Sequence, residues 1–76
     1  MNILLLEEIL SKREPKILDI IKGENLNKID ESNGYQVRSI LTDELLETGM
    51  DDNDKVNERG LAIEKLIDDV GRIYMD

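Results

Sequence analysis

"GMDDNDKVNERG", residues 49–60, decides how the chain is read, because it is either a ligand loop or the connector between two helices. It holds four carboxylates (Asp51, Asp52, Asp54 and Glu58) and two asparagines between bracketing glycines. A calcium loop of the EF-hand type needs oxygen ligands at positions 1, 3 and 5, glycine at 6 and a bidentate glutamate at 12. Counting from Asp52 puts Val56 at position 5 and Ile63 at 12, and counting from Asp51 puts Lys55 at 5 and Ala62 at 12. Counting from Asn53 reaches Glu64 at 12 but places Lys55 at 3. No frame works, and Lys55 and Arg59 carry positive charge where a cation would sit. No metal site is expected.

Read as a connector, the same residues are economical. Gly49 closes one helix, and the acids and Asn53 suit turn positions because their side chains hydrogen-bond nearby backbone. Asn57 is then the N-cap of the next helix, with Asp54 and Glu58 near its positive end. Met50 and Val56 are expected to pin the connector to the core.

Helical periodicity extends on both sides. Upstream, Val37, Ile40, Leu41 and Leu45 recur at helical spacing, Leu46 widens the stripe, and Asn33 with Gln36 has the form of a capping box. Downstream, Leu61, Ile63, Leu66, Ile67, Val70, Ile73 and Tyr74 make the longest apolar pattern in the chain, passing through Gly71. Near the start, Ile3, Leu6, Leu10, Arg13, Ile17 and Ile20 keep a 3-4-3-4-3 spacing straight through Pro15. Proline suits the first turn of a new helix, so two helices are expected there, with Gly23 as the second one's stop. One kinked helix over residues 2–22 is the alternative. Residues 24–32 read as a loop, with Leu26 and Ile29 as its anchors. Strand alternation is absent, and the composition is poor in the residues that favour strands. The expected fold is all-α, a small bundle of three to four helices forming a single domain over residues 1–76.

Composition narrows the chemistry. The 76-residue chain is near the lower limit for independent folding, where a margin of about 3–5 kcal/mol is expected. Leucine and isoleucine supply 21 of its 30 apolar residues, so the core is aliphatic. It has no cysteine and no histidine, which removes disulfides, thiol nucleophiles and the usual zinc ligands. Its serines and threonines have no evident activating base, and carboxylate pairs such as Asp43/Glu47 and Asp68/Asp69 read as exposed helix charges. No catalytic residue and no cofactor is expected, so the chain is read as non-enzymatic. The lack of cysteine, of a signal-peptide pattern and of any apolar run approaching a membrane span fits a cytoplasmic protein with no membrane partner.

Charge and apolar surplus suggest partners. Residues 1–41 hold seven acids and six bases, whereas residues 42–76 hold eleven acids and four bases, for an overall net charge of −8. Such a surface repels phosphate backbones, so direct nucleic-acid binding is not expected, and it attracts basic proteins. Ile3, Leu4, Leu5, Leu6, Ile9 and Leu10 wrap beyond one helix stripe, which suggests a second copy of the chain as a partner. The candidate partner-binding residues are therefore Leu4 and Leu5, the acids Asp51, Asp52 and Asp54, and the Tyr35/Arg38 pair in "YQVR". The plainer reading of that pair is first-turn packing by Tyr35 with Arg38 exposed. In size, acidity and helix count the chain is similar to the small acidic immunity proteins that inhibit bacterial nuclease toxins, a similarity of type that rests on no shared motif. The expectation is an interaction or assembly module, possibly a homodimer; the alternative is an acidic inhibitor or decoy for a basic protein such as a nuclease.

Overall fold

A computed structural model describes residues 1–21 and 29–75, with side-chain environments through Ile73. Four helices follow in order: α1 (Ile3–Arg13), α2 (Pro15–Ile21), α3 (Glu31–Thr48) and α4 (Glu58–Met75). The fold is all-α, as the periodicity requires. Proline does separate two helices: the chain leaves α1 at Glu14, with φ −151° and ψ 76°, and restarts at Pro15. The expected stop at Gly23, the anchor Leu26 and the Tyr74 side chain lie outside the described residues.

Each described start has a local cause. The Asn2 side chain accepts from the Leu5 N–H at the head of α1. At α3 the cap is Asp30, not Asn33, and the helix begins two residues earlier than the Asn33/Gln36 pattern implies. The Asp30 carboxylate accepts from the N–H groups of Ser32 and Asn33, while Asn33 Oδ1 accepts from the Asp30 N–H. A charged carboxylate is the better acceptor, so Asn33 takes the reciprocal place in the capping box. Bonds from the Ser32 hydroxyl and then from the Asn33 backbone hold the Asp30 carboxyl below its usual range. Asn57 caps α4 as expected, accepting from the Gly60 N–H at 2.8 Å.

The connector closes an antiparallel α3–α4 hairpin, the most extensive helix pairing in the fold. Met50 and Val56 form a single antiparallel bridge across it. Two glycines permit the close approach at its base. A Cβ on Gly60 would lie 2.2 Å from the Gly49 carbonyl oxygen, and one on Gly49 would lie 2.9 Å from the Gly60 Cα. Gly49 itself has φ −95°, so its value is lack of bulk and not left-handed backbone.

Against this hairpin lies α1, with its last turn beside the last turn of α3. The buried core takes Leu6, Ile9 and Leu10 from α1, Ile17, Leu18 and Ile21 from α2, Ile29, Val37 and Leu41, and Ile63, Leu66 and Val70 from α4. Ile29 is the buried anchor expected of the segment before α3. Three residues assigned to apolar stripes lie outside the core: Ile20, Leu46 and Leu61 are each half or more exposed. Among the described residues, no helix is long and apolar enough to cross a membrane.

Candidate functional site

The inward stripe of α3 runs Val37, Leu41, Glu44, Thr48, at spacings of four, three and four residues. Helical geometry therefore carries a glutamate into the interior, where Leu46 had been expected to widen an apolar face. Glu44 is 0% exposed, the one charged residue of the described chain with no accessible surface. Its desolvation is answered by four donors from three helices. Lys12 Nζ lies 2.7 Å from Oε1 and 2.8 Å from Oε2, and Arg13 Nε donates to Oε1 at 2.7 Å. Thr48 Oγ1 donates to Oε2 at 2.7 Å, and Arg59 Nη2 reaches Oε2 at 3.1 Å.

A second ring of charges completes the cluster. Arg13 Nη2 donates to Glu47, and Arg59 Nη2 to Glu8 at 2.6 Å. Arg59 Nε also donates to Thr48 Oγ1 at 2.9 Å, so that hydroxyl accepts from Arg59 while donating to Glu44. Three acids and three bases thus balance across α1, α3 and α4. Burial works to raise the Glu44 carboxyl, but the bonds from Lys12, Arg13, Thr48 and Arg59 outweigh it and hold the group well below the carboxylate range. The bond to Glu44 raises Arg13, and the bond to Glu8 followed by that to Glu44 raises Arg59. A carboxylate held this way stays ionised with its lone pairs engaged. It is suited to fixing helices and poorly suited to carrying protons.

The connector acids behave differently. Asp51 Oδ1 accepts from the N–H groups of Asn53 at 2.8 Å and Lys55 at 3.0 Å, the turn role expected of it. Asp54 has φ 60°, a left-handed conformation in which Asp and Asn are tolerated. Asp51, Asp52 and Asp54 are all exposed. Among the described residues, no group of three or more acidic side chains is arranged to hold a metal ion.

The remaining candidates fall apart in space. Leu4 is 81% exposed, while Leu5 is half-buried against the core. Tyr35 is exposed and Arg38 half-buried, the reverse of first-turn packing. Tyr35 stands fourteen residues from Gly49 along α3, about 21 Å of helix axis, so it shares no site with the connector acids. Leu4 is nine residues up α1 from Arg13, about 13 Å from the charged cluster. Carboxylate pairs also divide: Asp43, Glu47 and Asp68 are exposed, but Asp69 is half-buried, with Oδ2 buried and lacking a hydrogen-bond partner.

Comparison with family models, with curated proteins and with solved structures gave no match.

Proposed function

We propose that the protein acts by protein–protein contact, as a small acidic helical module without chemistry of its own, and that a second copy of the chain is one partner. The observation that carries this reading is the first turn of α1, where Leu4 is 81% exposed and Ile3 46% exposed. Burying a leucine or isoleucine fully is worth roughly 1.5–3 kcal/mol, a large share of a small domain's margin. A twofold pairing that covers these two side chains would recover it, and such dimers are the commonest homo-oligomers. The cytoplasm is the compartment proposed, with neither nucleic acid nor membrane as a direct partner. Sedimentation equilibrium from micromolar to millimolar concentration is the test. Association that Leu4→Glu weakens supports the reading; a wild-type monomer at about millimolar concentration removes self-association from it.

A second reading has its own support in the uneven charge, with eleven acids and four bases after residue 41. It is that the acidic half binds a basic protein, such as a nuclease, as an inhibitor or decoy. The exposed Asp52 and Asp54 are the first contacts to probe. Binding that weakens with salt and with Asp52→Lys/Asp54→Lys supports this reading, and salt-independent binding opposes it.

A further inference from the structure

We propose that a pocket between the start of α1 and the middle of α4 binds an alkylammonium or alkylguanidinium group. The pocket has a volume of about 170 Å³ and is lined by Met1, Asn2, Ala62, Lys65, Leu66 and Asp69. A dry cavity of about 150 Å³ accommodates benzene, so this one suits a tail of four or five carbons. Met1, Ala62 and Leu66 supply the apolar wall for such a tail.

Asp69 supplies the reason for a cation. Its side chain is 14% exposed, and its Oδ2 is buried with no hydrogen-bond partner. An ionised oxygen removed from water without a donor is unfavourable, and an orphan of this kind calls for an explanation. Its other oxygen, Oδ1, meets Lys65 Nζ at 3.6 Å, beyond ordinary hydrogen-bond length, and Lys65 is 73% exposed. That pair is loose, and Lys65 can swing into solvent. The terminal torsion of an aspartate is broad, so either oxygen can turn toward a donor arriving in the pocket. The chain's net charge of −8 draws cations toward the surface. A cationic head on a short alkyl stem matches both the orphan carboxylate and the apolar wall. This inference stands on the pocket and is unaffected if self-association fails.

Amide chemical shifts of the full chain, titrated with n-butylammonium chloride, test it. Saturable shifts confined to residues 1–2 and 62–69, at millimolar affinity, are expected. Asp69→Asn should weaken binding on the order of tenfold or more, since a bond to a charged group is lost. Lys65→Gln, which removes the competing cation, should tighten it. A blocked lysine tripeptide identifies the source: binding means that a partner's side chain fits, while binding of n-butylammonium alone means that the pocket takes free amines. Equal affinity for n-butanol, equal affinity of Asp69→Asn, or no saturable shift overturns the proposal.

Discussion

Glu44 and the connector Asp51–Asp54 lie within two helical turns of each other, yet they use negative charge in opposite ways. Glu44 is a single carboxylate with no accessible surface, and its partners Lys12, Arg13 and Arg59 come from helices distant in sequence. The connector has three exposed aspartates, and Asp51 spends an oxygen on backbone N–H groups two and four residues away. One carboxylate joins three helices; the others shape one turn. Crowding of acids along a chain therefore says little about where electrostatics governs a fold. Burial decides, because the low-dielectric interior magnifies both the attraction between partners and the cost of losing one.

The contrast can be tested in order of size. Glu44→Leu should be the most damaging change. It leaves Lys12, Arg13 and Arg59 converging on an apolar side chain, and removing one partner of a buried pair costs about 3–5 kcal/mol. That is the scale of the whole expected margin, so circular dichroism should find the variant largely unfolded at room temperature. Next is Gly60→Ala, whose Cβ would meet the Gly49 carbonyl oxygen and Val56 Cγ1. Overpacking of this kind costs about 1–3 kcal/mol, visible as a lower urea midpoint.

Acid should act through the same glutamate. The folded Glu44 carboxyl lies below its unfolded value, so its contribution is complete above roughly pH 4.3 and is lost as pH falls toward the folded value. Melting temperature should therefore hold steady through mildly acid solution and drop below about pH 4. A folded Glu44 variant should show a shallower drop. Asp51→Ala should have the smallest effect of the set, about 0.5–1.5 kcal/mol, because an exposed turn loses only two backbone hydrogen bonds.

Much of this architecture was legible in the sequence because it rests on local rules. Pro15 and Asn57 mark helix starts by their own backbone chemistry, and the apolar stripes give each helix its inward face. Failure of the calcium spacing, with Asn57 as the next cap, was enough to read residues 49–60 as a connector. The start of α3 was misplaced because two overlapping capping patterns compete there, and the charged Asp30 prevails over Asn33. The charged cluster was the larger miss. Arg13 stood inside the apolar 3-4-3-4-3 series, and Glu44 follows Val37 and Leu41 at helical spacing; both were visible signals. Their pairing was not, because it depends on how α1 lies against α3 and α4 across 31 residues of sequence. Likewise, Leu46 and Leu61 fit a helical period but lie beyond the arc that the neighbouring helices cover.

A matched pair of isosteric substitutions tests the central claim most directly: urea unfolding of Glu44→Gln beside Asp51→Asn. Each removes one negative charge and little volume, so burial and long-range partners are the main difference between them. The account predicts a loss on the order of 3 kcal/mol for Glu44→Gln and below about 1 kcal/mol for Asp51→Asn. Equal losses, or a larger loss at Asp51, would contradict it.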